Sequence, residues 1–201
     1  MGKLILVRHG ESTGNKERIY ATKPHELALT TDGEQQAREA GRKIAELFRT
    51  ELVVSSVYVR ARETARIIAE VLGLPFQVEQ NLHERHAGTY MGKPYESMMT
   101  APDRDPQRPW LWRPPEGESL EDVRLRAAPV VERLAAEHPT RDVVIVSHGG
   151  VMLALWAHFS GSWNNAFVPT NCAIVVVEHD SGRFQTPVAI GDQKSAEHTG
   201  G

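Results

Sequence analysis

Hydrophobic positions fall into two alternating textures along the chain. Short unbroken apolar runs at Leu4–Val7, Leu52–Val54 and Val143–Val146 have the pattern of strands buried on both faces. Between them, apolar residues recur every three or four positions, the spacing of an amphipathic helix. Ala37, Ala40, Ile44, Leu47 and Phe48 predict a helix over about 31–49, with Thr31 and Glu34 as its capping box. Ala61, Ala65, Ile68, Ala69 and Leu72 predict a second, closed by Gly73 and Pro75. Ser119 is placed to cap a third, carried by Leu120, Val123, Ala127, Val130, Val131 and Leu134, kinked at Pro129 and ended by Pro139. An apolar helix follows from Val151 to about Phe159, and weaker runs at Phe76–Val78, Ala173–Val177 and Thr186–Ile190 complete the strands.

Strands alternating with helices specify an α/β fold: a mostly parallel central sheet in right-handed connection, covered by helices on both faces, with ligands expected at the strands' C-terminal ends. One stretch breaks the rhythm. From about 83 to 118 the chain carries Gly88, Gly92, six prolines, and Trp110 and Trp112 among arginines. An excursion of that length in a small domain predicts a functional cap over the sheet edge. The sequence therefore reads as one domain over 1–193 with a cap at about 83–118, and a disordered tail over 194–201.

Composition narrows the partners. Of 201 residues, 40% are hydrophobic, enough for one sizeable core without staples. A net charge of -3 with both signs interspersed predicts neither a nucleic-acid nor a membrane partner, so any anion must be held by a local cluster of positive groups. Cys172 is the single cysteine, which excludes an intrachain disulfide and fits a reducing, cytoplasmic setting. Trp156, Phe159 and Trp163 suit either a core or an interface, leaving a homodimer open.

Two of the predicted strand ends carry histidine: Val7-Arg8-His9-Gly10 and Val146-Ser147-His148-Gly149. Arginine, histidine and glycine directly after a buried strand are the parts of an anion-facing nucleophile: imidazole to attack, guanidinium to hold two oxygens, glycine to admit the substrate closely. Arg8-His9-Gly10-Glu11-Ser12-Thr13-x-Asn15 resembles the signature of the histidine phosphatase superfamily, in its phosphoglycerate-mutase-like branch. Ser55-Ser56-x-x-x-Arg60-Ala61-Arg62-Glu63-Thr64-Ala65 is similar to the family's second arginine motif, Leu82-x-Glu84-x-x-x-Gly88-x-x-x-Gly92 to its acid loop, and Gly117-Glu118-Ser119 to its pre-helix motif. Val146-Ser147-His148-Gly149-Gly150 matches its second histidine motif, so that the resemblance runs from about residue 3 to 192.

The resemblance implies a three-layer α/β/α sandwich, phosphoglycerate-mutase-like, forming a single catalytic domain. It implies that His9 attacks phosphorus and becomes phosphohistidine, and that Arg8, Arg60 and His148 surround the equatorial oxygens. Gly149 and Gly150 would add backbone N–H groups at a helix N-terminus, and Asn15 with Ser12 or Thr13 would add neutral donors. Glu84 would protonate the departing alkoxide and then activate water, which calls for a sparsely solvated pocket. Neither metal nor cofactor is required, since phosphoryl transfer needs mainly positioning and charge stabilisation. Glu11, Glu63 and Glu118 are rival carboxylates. His83-Glu84-Arg85-His86 is one residue short of a zinc-protease motif and lies in a glycine-rich loop, so zinc is not expected.

The expected substrate is a small phosphomonoester. About 24 residues separate Gly92 from Gly117, a short cap beside the longer insertion that mutases of this family usually carry, which favours hydrolysis over a cofactor-type phosphoglycerate mutase. The segment Tyr20–Leu29 also departs from the glycine-containing mutase version. A third reading is a non-catalytic module that binds phospho-ligands.

Overall fold

The computed structural model describes residues 1–190, and the tail expected from Lys194 lies outside them. Four strands run parallel: β1 (Gly2–Arg8), β2 (Thr50–Ser56), β3 (Phe76–Glu79) and β4 (Asp142–Ser147). Three more are antiparallel on one side: β5 (Ile174–Asp180), β6 (Arg183–Phe184) and β7 (Val188–Ile190). The sheet order is β3-β2-β4-β1-β5-β6, with β7 also on β5. β1 and β4 are central neighbours, and their register puts Val7 beside Val146 and Arg8 beside Ser147. The two histidines therefore leave adjacent strand ends together.

Side chains alternate across the sheet, which produces two cores. Leu4, Leu6, Leu52, Val54, Val143 and Ile145 point to one face, where helices α5 (Leu120–Glu137) and α6 (Gly149–Ser160) pack. Ile5, Val7, Val53, Val144 and Val146 point to the other, under α2 (Thr31–Leu47) and α3 (Val59–Leu72). The arrangement is the α/β sandwich with a mostly parallel sheet that the sequence pattern predicts. Trp156, Phe159 and Trp163 pack against the first core.

Several boundaries differ from the sequence reading. Thr30, not Thr31, caps α2: its hydroxyl accepts the Gly33 N–H at 3.0 Å while donating to Glu11 Oε1 at 2.8 Å. That second bond is tertiary, and a local capping rule cannot see it. Helix α5 runs through Pro129 and ends at Glu137. The last run is shorter than expected, β7 starting at Val188, and β6 precedes it. A five-residue helix, α1 (Thr13–Glu17), opens after Ser12, and the 83–118 excursion contains one short helix, α4 (Tyr95–Met99).

Candidate active site

His9 follows β1 directly, and its N–H donates to Ser147 O at 2.9 Å, tying the β1 end to the β4 end. Its ring is nearly inaccessible. Nδ1 lies 2.7 Å from Gly10 O, and Arg60 Nε lies 3.1 Å from Nε2. A carbonyl only accepts and a guanidinium only donates, so the proton sits on Nδ1 and Nε2 keeps its lone pair. Burial, then the Arg60 and Arg8 charges, hold the His9 pKa well below the ordinary histidine value. The ring is thus neutral, in one tautomer, with a nucleophilic nitrogen beside a cation.

Arg60 reaches this place from the first turn of α3, its guanidinium stacked 4.8 Å over the Tyr58 ring. Its Nη1 is buried without a partner among the described residues. Burial lowers its pKa against the upward pull of Glu84. Thr64, one turn along α3, accepts the Gly10 N–H at 3.0 Å and donates to Arg60 O at 2.7 Å, coupling the two motifs. Gly10 is required here because a Cβ would stand 2.4 Å from Gly33 O.

His148 caps α6 and is fully buried, its ring centroid 5.1 Å from that of His9. Its Nε2 lies 2.7 Å from Ser56 Oγ at the end of β2. Ser56 Oγ also accepts the Tyr58 N–H at 3.3 Å, and Nε2 is the one acceptor its own proton meets among the described residues, so that proton goes to Nε2. This leaves Nδ1–H as the imidazole donor, and Nδ1 is buried without a partner among the described residues. Desolvation and the Arg60 charge keep His148 neutral too, far below the ordinary pKa. Arg8 Nη1 donates to Pro169 O at 2.7 Å, and its guanidinium passes beside Gly149.

The model of the histidine phosphatase superfamily (branch 1) matches residues 4–190. The chain belongs to this superfamily. It is 33% identical over 161 residues to the uncharacterized phosphatase PhoE of Bacillus subtilis, covering 80% of this chain and 79% of that one. Over 189 residues it is 32% identical to a 2,3-bisphosphoglycerate-dependent phosphoglycerate mutase of Lactobacillus johnsonii, covering 77% and 81%. Among solved structures it resembles a mycobacterial glucosyl-3-phosphoglycerate phosphatase complexed with VO3, with a TM-score of 0.81 and 26% identity over 96% of this chain and 99% of that one.

In this superfamily member His9 and Arg60 line an open cavity of about 210 Å³ together with Arg8, Ser12, Asn15, Glu84 and Gly149, while the fully buried His148 ring stands outside the lining, against His9. Glu84 is the one carboxylate in that lining. It accepts the Arg85 N–H at 2.8 Å and, more weakly, the Gly150 N–H at 3.4 Å. The carboxylate is therefore held by two backbone donors, one from its own loop and one in the first turn of α6, a more polar seat than the sparse pocket expected. A Cβ on Gly150 would reach within 2.6 Å of Glu84 Oε1. The loop bearing Glu84 is pinned at both ends: Ser147 Oγ donates to Leu82 O at 2.8 Å, and Arg126 donates to Asn81 O, Glu84 O and the Glu118 carboxylate.

The rival carboxylates are structural. Glu118 is half-buried, which raises its pKa, but Arg126 and the His86 N–H more than reverse this and hold it below the usual carboxylate range. Glu11 accepts from Thr30 Oγ1, and Glu63 accepts the Leu29 N–H. Cys172 is pushed up to about 12 by burial, which leaves it an inert thiol.

Ser12 and Asn15 reach the cavity, but as a capping pair. Asn15 Oδ1 accepts the Ser12 N–H at 3.1 Å, the Ser12 hydroxyl at 2.9 Å and Asn171 Nδ2 at 3.2 Å. With its oxygen so occupied, Asn15 offers its NH2 end as the donor. Thr13 is outside the cavity lining, its N–H donating to Ala28 O at 3.0 Å. Ser56, Tyr58, Thr64 and Asn171 were not assigned roles from sequence. For Ser56 and Thr64 a signal existed, since both stand in the second arginine motif.

Proposed function

We propose that the protein is a phosphomonoester hydrolase acting on small phosphorylated metabolites through a phosphohistidine on His9. The observation that carries this reading is the fixed tautomer of His9, which leaves the Nε2 lone pair beside Arg60 and its ring against that of His148, whose Nδ1, like Arg60 Nη1, has no partner among the described residues.

Nε2 attacks phosphorus as the ester P–O bond breaks. The Arg60 N–H groups turn from the imidazole to the phosphoryl oxygens, where Arg8, His148 Nδ1–H and the Asn15 amide join them. Glu84, entering as the acid, gives its proton to the leaving alkoxide. Water then attacks the phosphohistidine, Glu84 takes the water proton, the P–N bond breaks, and inorganic phosphate leaves with His9 restored. These residues balance charge and protons without a metal.

Hydrolysis is preferred to mutase chemistry because the cap is short and the cavity open to water, and because the superposition on the mycobacterial phosphatase extends over nearly both whole chains. The test is turnover of an aryl phosphate by wild type and His9→Ala with EDTA present. Release of inorganic phosphate by wild type alone supports the reading. Loss of activity in EDTA would overturn the metal-free mechanism, and isomerisation of phosphoglycerate outrunning phosphate release would make it a mutase.

A further inference from the structure

Beyond the phosphate end, the cavity has a composition that selects a leaving group. Its outer walls carry Tyr20, Tyr95, Trp112, three methionines (Met91, Met98, Met99) and aliphatic side chains from Leu27, Leu120 and Leu153. Apart from the tyrosine hydroxyls and the buried indole N–H of Trp112, neutral hydrogen-bonding side chains are confined to Ser12 and Asn15, which are engaged with each other and with Asn171. A polyhydroxylated body such as a sugar would meet few neutral partners there, and each hydroxyl buried unpaired costs about 1–3 kcal/mol. A ring or branched apolar body meets aromatic faces and adaptable thioethers instead.

Charge adds a second criterion. Five arginines line the cavity against the single carboxylate of Glu84. Arg8 and Arg60 stand at the phosphate end, and Arg18 is paired with Glu96 at 2.7 Å. Arg85 and Arg104 remain, and neither forms an ion pair among the described residues. Arg85 is anchored by Nε to Glu118 O at 2.7 Å and by Nη2 to Trp112 O at 3.0 Å, with its plane 5.6 Å from the Trp112 ring. Arg104 donates from Nη1 to Met99 O at 3.2 Å. Both charges act on the Tyr20 phenol, and Arg104 acts on Arg85: burial first, then the opposing pulls of nearby groups including Arg104, leave Arg85 below its ordinary pKa. Two like charges in one cavity, with no carboxylate in ion-pair contact among the described residues and only Glu84 and Glu118 acting on Arg85 from farther off, fit an anion brought by the ligand.

Resting on the hydrolase reading above, we propose that the substrate is the phosphate ester of an apolar, ring-bearing alcohol that carries an anionic group of its own. The ring lies against Tyr20, Trp112 and the cap methionines, and Arg85 and Arg104 take the distal anion, a carboxylate or a second phosphoryl group.

Four primary-alcohol esters test this without large differences in leaving-group basicity: benzyl phosphate, 4-carboxybenzyl phosphate, 4-phosphonobenzyl phosphate and glucose 6-phosphate. The expected kcat/KM is higher by about tenfold or more for an anionic benzyl ester than for benzyl phosphate, the scale of one charge-assisted hydrogen bond. Which anion gains more separates carboxylate from phosphoryl recognition. Glucose 6-phosphate falls below benzyl phosphate. In Arg104→Gln the ratio of anionic to neutral benzyl ester drops towards one, and Arg104→Lys keeps part of it. A sugar phosphate turned over as well as the anionic benzyl esters, or a ratio that Arg104→Gln leaves unchanged, would overturn the proposal. Hydrolysis of benzyl phosphate by wild type but not by His9→Ala would leave the hydrolase reading standing in either case.

Discussion

At the scale of single residues, the site works by removing choices. His9 has its proton assigned by Gly10 O and Arg60, and His148 has its own assigned by Ser56. Both rings are held neutral by burial and by the arginine charges, so a histidine NMR titration should show neither becoming protonated as pH falls through 6.5. Glu84 is the carboxylate that shares the cavity with His9 and Arg60. Glu84→Gln keeps the shape and the Arg85 contact but cannot exchange a proton, and its kcat should fall by about a hundredfold or more. The fall should be smaller for an ester whose leaving alcohol is strongly acidic, because that departure needs little protonation. An equal loss for both esters in steady-state kinetics would remove Glu84 from the acid role.

At the scale of elements, the floor is assembled from three neighbouring strand ends, with His9 after β1, Ser56 closing β2 and His148 after β4. Helix α6 begins where the phosphate end and the acid loop meet, and its second residue must be glycine because of Glu84. Gly150→Ala should therefore leave the thermal midpoint almost unchanged, since a flexible carboxylate can swing aside, yet lower kcat about tenfold or more by displacing the acid. A normal kcat in that variant would show that the Glu84 position is not critical. Gly10 and Gly33 press on backbone instead, so substitutions there should cost stability. The buried strands and the amphipathic helices were legible in the sequence because each has a period, and Ser119 because its capping partner Asp122 is three residues away. Thr30 was missed because its choice depends on Glu11, and α1 because five residues carry no period. The same limit applied to the site. His9, Arg60, Glu84 and His148 stand in recognisable motifs, whereas the bonds of Thr64 to Gly10 and Asn171 to His9 O link residues 54 and 162 positions apart.

For the whole molecule, three buried histidines set the response to acid. His9, His148 and His179 all have folded pKa values lowered from 6.5, chiefly by burial. Their unfolded counterparts bind protons as pH falls through about 6.5, and the folded forms do not. Stability should thus be fully present above that pH and decline below it, seen as a urea midpoint that is lower at pH 5 than at pH 8 with the slope unchanged. A midpoint that rises on acidification would contradict these assignments. None of the described helices is long and apolar enough to cross a membrane.

The central claim is that phosphate passes through His9. Its most direct test is to quench the protein with a labelled phosphomonoester and locate the label by mass spectrometry under alkaline conditions, where phosphohistidine survives. The label should sit on His9 Nε2, disappear on acid treatment, and be absent from His9→Ala. Phosphate on another residue, or turnover by His9→Ala at the wild-type rate, would contradict the account.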